Sequence, residues 1–600
     1  MSRKLNNHHN KKFSLGFTLV ELIVGVAVFT VIVVAVYNAY TSIFNVVSVS
    51  RAKIDAIDLV NEQLEIVRNM PYASVGISGG IPSGTLTHIQ SLNRGAETFS
   101  VMTTVRNVDD PFDGTLGGTP NDTAPADFKT VEIEISCATC KNFNPMIVTT
   151  RVAPKSLENS SSNGALFVKV FDANGVVLPD AAVHIENNLI SPHIVVDDVT
   201  NSAGMLQIVD VPPGGNAYEI TVTKSGYSTD KTYQAVQNNP HPTKPHATVL
   251  RGQVTQVSFA IDRLATFSFS SLSDTCANVG TIDFTLLSSK NVGLNPVVPK
   301  YNQNKVTNGS GLLTLSGMEW DTYTITNIDT AYDFIGLNPL SPVTLAPNST
   351  QAVSLIVAPK NPKTLLVTVK DGVTGLPLSG VSVDLTKAGY DSIKITGQGF
   401  LGQTDWSGGG GQATSTDKTK YFSSDGNMET ASPVGDVTLK KVFGDYVSSG
   451  SLISSSFDTG AQSNFQGIDW TPTDEPVGST VRLQIATNND GATWNFTGPD
   501  GTAGTYYTNA NKNISSTNNG NRFLRYKLFL DTTSTITAPN ISNISFTYTL
   551  SCTPPGQVSF SALASGSYTM HLSKTGYANQ DVPVTISGDW QSTSVTMQTN

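Results

Sequence analysis

The stretch KKFSLGFTLVELIVGVAVFTVIVVAVY, residues 11–37, decides how the rest of the chain is read. Lys11 and Lys12 precede an apolar run from residue 17 to residue 37 that carries one charge, Glu21. At ~1.5 Å per residue such a run crosses a bilayer as a helix. Arg3, Lys4, Lys11 and Lys12 mark the cytoplasmic side, so the remainder of the chain faces outward. A carboxylate inside a membrane helix costs about 2.5–3.5 kcal/mol on insertion scales, so Glu21 needs a partner or a purpose. No small-x-small cleavage site follows the run, which argues against an ordinary secretory signal.

Outward from this stretch, helical spacing continues through residues 38–69, where Ile54, Ile57, Leu59, Val60, Leu64 and Val67 recur among Asp55, Asp58, Glu62, Glu65 and Arg68. Pro71 ends the helix. Beyond it, apolar residues fall in short runs separated by Gly, Ser, Thr and Asn, the pattern of strands joined by turns. The 600 residues leave room for roughly four domains. With 14% charged residues, a net charge of −10 and no basic patch, nucleic acid is excluded as a partner.

Gly16-Phe17-Thr18-Leu19-Val20-Glu21 resembles the cleavage and methylation motif of type IV prepilins and type II secretion pseudopilins. The resemblance implies cleavage between Gly16 and Phe17 by a prepilin peptidase that also N-methylates Phe17. It implies that Glu21 meets the terminal amine of a neighbouring subunit during filament assembly. Opposite charges in lipid each lack a partner until subunits pack, which fits that role. The implied location is a single-pass membrane protein with its C-terminal part outside, passing to a surface filament with other pilin subunits.

The expected fold is mainly β with one long N-terminal helix. A leader (1–16) precedes a pilin-like module (17–157), made of a helix (17–69) and a β head (73–157) with strands at 98–107, Phe128–Ser136 and Met146–Val152. Asp109-Asp110-Pro111-Phe112-Asp113 reads as a turn; a cation is the alternative, but Ca²⁺ sites need six or more oxygens. Cys137-Ala138-Thr139-Cys140 reads as a small disulfide closing a hairpin loop rather than a redox or metal centre, and the pairing of the four cysteines is open.

From Gly164 a repeat begins. Residues 166–185 and 365–385 both read strand, Asp turn, Leu-Pro or Pro-Leu, strand, and residues 211–227 match 563–577 through Lys-x-Gly-Tyr. A third copy carries Thr307–Leu315 and Trp320–Ile325 in less clear form. These segments resemble carboxypeptidase-regulatory-like, transthyretin-like β-sandwiches, a name that implies no peptidase activity. Sandwiches are expected at 164–262, at 264–358 and at 363–405 plus 553–600. The last is interrupted by residues 406–552, which open on the glycine tract after Trp406 and resemble a jelly roll of the discoidin type.

In that insertion Trp470, Trp494, Tyr506 and Tyr507, beside Asn488, Asn489, Asp490 and Asp500, are the candidates for stacking on a glycan; their alternative is a place in the core. The eight histidines show neither ligand nor triad spacing, so no catalytic residue, metal or cofactor is expected. The function expected is a minor or tip subunit displaying sandwiches for adhesion or glycan binding. The alternative is a type II secretion pseudopilin or a membrane-anchored surface protein with a glycan-active enzyme module.

Overall fold

The computed structural model describes residues 18–95, 97–155, 161–472 and 475–600. It is one long N-terminal helix followed by an all-β body of many sheets. The chain divides into two compact units, one reaching to Ser225 and including Thr229–Ile261, the other made of Gly226–Ser228 and Asp262–Asn600.

In the first unit, helix α1 spans Leu19–Asn69. Its buried residues are Ala52, Ala56, Leu59, Val60, Gln63, Leu64 and Val67, a stripe at helical spacing confined to the C-terminal third. That stripe packs on an antiparallel meander of β1 (Ile89–Arg94), β2 (Glu97–Val108), β3 (Phe128–Ser136) and β4 (Met146–Val152). Strand β1 went unread in the sequence because its alternation is weak. Val131, Ile133 and Ile135 of β3 alternate inward and join Phe99, Val101 and Val105 of β2 under the helix.

The inward row of β3 also contains Lys129, which is 6% exposed. Its Nζ donates to the carbonyls of Val75 at 2.6 Å and Tyr72 at 3.1 Å and lies over the Tyr72 ring. The ammonium thus fastens the short 3-10 turn Tyr72–Ser74 to the sheet, and burial lowers its pKa from the ordinary lysine value.

The first sandwich completes this unit. One sheet places β5 (Gly164–Phe171) between β8 (Met205–Val211), antiparallel, and β12 (Val254–Ala260), parallel. The facing sheet runs β10 (Asp230–Lys231), β9 (Gly214–Thr223), β6 (Ala182–Asn187), β7 (Ile194–Val199), with β11 (Ala247–Val249) also on β9. Arg106 of β2 forms a two-toothed ion pair with Asp198 of β7, with Nε–Oδ2 at 2.7 Å, and so ties head to sandwich.

The second unit repeats that plan twice. Ala265–Ser273 is parallel to Thr350–Pro359 and antiparallel to Leu312–Met318. Thr364–Asp371 is parallel to Trp590–Met597 and antiparallel to Gln557–Phe560. In each copy one tyrosine is buried and its hydroxyl donates back to the chain just before it: Tyr218 to Pro212, Tyr323 to Glu319, Tyr568 to Ala564, at 2.6–2.9 Å. These are the tyrosines of the repeated segments.

The insertion begins earlier than residue 406. Gly399–Gln403, assigned on sequence to the third sandwich, pairs instead with Asn543–Thr549 inside the inserted sheet. That sheet continues through Phe457–Thr471, Asn521–Thr532 and Ser449–Ile453, with Ser479–Asn488 also on Asn521–Thr532. Trp406 does not open a loose tract. It is fully buried, and its Nε1 donates to Tyr526 Oη at 2.8 Å.

Candidate functional site

Gly16 and Phe17 lie outside the described residues. Glu21 is described, and its geometry has a local cause. Thr18 caps α1: Glu21 N–H donates to Thr18 Oγ1 at 3.3 Å, and Thr18 N–H donates to Glu21 Oε2 at 2.9 Å. This reciprocal pair satisfies two of the amides a helix start leaves open. The Thr-x-x-Glu spacing that signals it stands in the sequence at Thr18 and Glu21.

From Leu19 to Arg51 no described residue of α1 is buried, and Val24, Phe29, Val31, Val34, Tyr40 and Phe44 are all more than half exposed. Among the described residues this is the one helix long and apolar enough to cross a membrane. Such a surface is stable only against lipid or against other apolar helices.

Cys137 and Cys140 are joined as a disulfide in the connection between β3 and β4, their Cα atoms 5.3 Å apart. Glu97 sits beside them, and these three are the one group among the described residues whose ligand atoms lie within 4.8 Å of one another. Both sulfurs are committed to the disulfide, so the trio offers a metal a single carboxylate. The two lone cysteines, Cys276 and Cys552, pair across 276 residues, a partnership no spacing rule anticipates.

The aromatic candidates separate into two kinds. Trp470 and Tyr507 are each 1% exposed and belong to the core of the insertion, which removes them as ligand contacts. Each lies where its chain turns inward: Trp470 pairs with Ile544 on the neighbouring strand, and Tyr507 Oη accepts the Ser515 N–H. Trp494 and Tyr506 are half-buried at the surface. The Arg525 guanidinium lies over the Trp494 ring at 4.5 Å and over the Phe422 ring at 4.2 Å. Tyr506 meets Phe529 edge-on and Arg482 at 4.7 Å. Arg525 and Phe422 carry no local sequence signal, since their meeting depends on strands far apart in the chain.

The polar candidates are engaged in turns. Asp490 accepts the Ala492 and Thr493 amides and the Thr493 hydroxyl, which hold its carboxyl down at about 2. Asp500 accepts from Thr502 in the same manner, Asn488 Oδ1 from Gly491 N–H, and Asn489 Oδ1 from Arg522 N–H.

Comparison with known proteins matches residues 11–37 to the prokaryotic N-terminal methylation motif. No curated protein matches the chain. Among solved structures, the TIE protein of Bacillus anthracis aligns at 12% identity and TM-score 0.15, over 52% of this chain and 64% of that one, so the chain spans less than two thirds of that protein. The minor pilin GBS52 of Streptococcus agalactiae aligns at 12% identity and TM-score 0.17, over 32% of this chain and 95% of that one. A streptococcal ancillary pilin aligns at 9% identity and TM-score 0.14, over 73% and 99%. Scores this low do not establish a shared fold. What the comparisons add is therefore the methylation motif, seated on the helix whose apolar half is exposed.

Proposed function

We propose that this chain is a minor or tip subunit of a type IV pilus-like surface filament, held in the membrane by α1 before assembly. The observation that carries the reading is the methylation motif at residues 11–37, whose apolar run continues as a helix with no buried residue before Ala52. A prepilin peptidase removes residues 1–16 and methylates Phe17. Glu21 then exchanges its bond to Thr18 for the terminal amine of a neighbouring subunit, while the apolar half of α1 moves from lipid to other pilin helices. The sandwiches beyond residue 164 are too large an outward load for a filament built of this chain alone, which favours a minor or tip position. They serve display and adhesion without catalysis, and Trp494 and Tyr506 are the aromatics left at the surface for a ligand.

The test is N-terminal peptide mass spectrometry of the protein from its native membrane, together with a Glu21→Ala variant in a filament-shearing assay. The expected result is a chain starting at methylated Phe17, with the variant inserted in membrane but missing from sheared filaments. An uncleaved Met1 start, or normal shearing of the variant, would reduce the N-terminus to an anchor. Long filaments made solely of this chain would overturn the minor position.

A further inference from the structure

Strand Asn521–Thr532 of the insertion turns Leu524, Tyr526, Leu528 and Leu530 into the core, so Arg525, Lys527 and Phe529 share its other face. Arg482 stands opposite Phe529 on the neighbouring strand Ser479–Asn488 and belongs to the same face. Aromatic rings interleave with these cations. Arg525 lies over Phe422 and Trp494, Arg482 over Tyr506, and Lys527 over Phe529.

The acids beside this face are already engaged. Asp531 pairs with Arg482 at 2.7 Å, and Asp425 accepts the amides of Ser451 and Asn427. Among the described residues no carboxylate pairs with Arg525 or Lys527. Arg525 is 5% exposed. Its Nη2 donates to the Ala413 carbonyl at 2.7 Å, and its Nε is buried without an acceptor. Ser456 N–H donates to the same carbonyl at 2.8 Å, and the Ser456 hydroxyl is likewise buried without a partner. Burial lowers the guanidinium pKa from the ordinary arginine value. Rings attract a cation without neutralising it. A buried guanidinium with one carbonyl acceptor and no counter-charge is unfavourable unless an anion joins it.

We propose that this face binds an acidic sugar, with its carboxylate on Arg525 and its ring against Trp494 and Phe422. The proposal rests on the adhesion reading of the insertion and names the ligand class. The arginine fork matches a carboxylate with two parallel hydrogen bonds. Phe422 is 40% exposed and Trp494 half-buried, so the rings that carry Arg525 also meet solvent, where they offer a flat apolar surface to a sugar ring. Residues 399–552 contain more Asp and Glu than Lys and Arg, which repels a long polyanion such as nucleic acid or an acidic peptide. A uronate brings a single charge to a single guanidinium.

The test titrates methyl β-D-glucuronide and, separately, the neutral methyl β-D-glucoside into the full chain, held in a detergent without sugar head groups. Tryptophan fluorescence reads binding, and hydrogen exchange at saturation locates it. The expected result is saturable binding of the glucuronide near about 1 mM, an ordinary value for a ligand of this size. The glucoside binds about tenfold more weakly or worse, because it lacks the charge-assisted bond. Exchange slows at residues 413–422 and 521–527. Arg525→Gln abolishes the preference for the charged sugar, and Trp494→Ser weakens both sugars together; melting curves that match the parent's confirm that the variants fold. Should Arg525→Gln unfold, the two sugars on the parent chain and the exchange map decide. Equal binding of the two sugars, or protection elsewhere, overturns the proposal, as does no saturable binding of the glucuronide up to about 50 mM. Tighter binding of single-stranded oligothymidylate or of an oligoglutamate peptide overturns the ligand class. Binding of the glucoside alone removes the acidic ligand and leaves the adhesion reading standing. None of these outcomes touches N-terminal processing or shearing, so failure here and failure of the filament reading are told apart.

Discussion

The first and third sandwiches close the same turn in two ways. In the first, Thr200 leaves β7 and Gly204 enters β8 with three residues between them. Thr200 Oγ1 accepts the Ala181 N–H and donates to the Leu178 carbonyl. The Gly204 carbonyl accepts the Val170 N–H, and Asn201 N–H donates to Met205. In the third, Thr396 does the same with Val381 and Leu378, Gly556 with Val369, and Gly397 N–H with Gln557 at 2.9 Å. Between Gly397 and Gly556 stands the whole insertion. The second sandwich holds the short form again, with Thr307 and Gly311. The difference teaches that the insertion did not replace an element of the sandwich. It entered the turn at its two least committed residues, where the flanking bonds hold exit and return side by side.

The comparison breaks most visibly at the glycines. Gly204 and Gly556 have φ of +69° and +65°. A Cβ would stand 2.7 Å from the Val170 carbonyl at the first, and 2.8 Å from the Val369 carbonyl and the Leu378 nitrogen at the second. Left-handed backbone costs a non-glycine about 1–2 kcal/mol, and a clash with rigid backbone adds about 1–3 kcal/mol. Gly204→Ala and Gly556→Ala are each expected to destabilise their own sandwich by roughly 2–4 kcal/mol, read by hydrogen exchange on β5 and on Thr364–Asp371. A cost at Gly204 with none at Gly556 would mean that the return from the insertion is not the same turn.

The threonines sharpen it at smaller scale. Thr200 is 1% exposed and Thr396 fully buried. Valine keeps the shape and loses the hydroxyl, leaving a buried carbonyl and a buried amide unpaired. Thr200→Val and Thr396→Val are each expected to cost about 1–3 kcal/mol by the same exchange measurement. Matching costs support equivalence. A milder effect at Thr396 would show that the insertion lends that end an order of its own.

How much of this was legible follows from how local each signal is. The membrane stretch is a run of adjacent apolar residues, and the sandwich repeat lies in the Asp turn and the tyrosine of the first and third copies, so both read directly, while the middle copy reads less clearly. The split turn did not, because Thr396 and Gly556 are joined only in space. Gly399–Gln403 reads as a continuing strand, and only its partner Asn543–Thr549 assigns it to the insertion. The fate of Trp406 turns on Tyr526, whose hydroxyl also donates to Gln403 Oε1 at 2.9 Å, and that of Cys276 on Cys552. Trp470 and Tyr507 share composition with Trp494 and Tyr506; strand pairing, not residue type, decided which rings reached the surface.

The smallest effect is expected from the largest change. Replacing residues 398–555 with Ser-Ala rebuilds in the third sandwich the short turn of the first. If the insertion were a flexible loop, shortening it this far would favour closure by roughly 4 kcal/mol on loop entropy alone. The insertion is instead folded around a core that is its own apart from Ile356 of the second sandwich, and its ends are already fixed by the Gly397–Gln557 bond. The closure entropy is therefore met within the insertion, and the third sandwich is expected to change by less than about 1 kcal/mol. Exchange at Thr364–Asp371 and Gly566–Ser573 reads this. Excision also removes Cys552, so the reference is the full chain carrying Cys276→Ser and Cys552→Ser. A gain near the full loop value would show an insertion that opens and closes freely on its stalk. A loss of several kcal/mol would show an insertion that props the sandwich it interrupts, and the two turns would then be alike in bonding but not in what holds them.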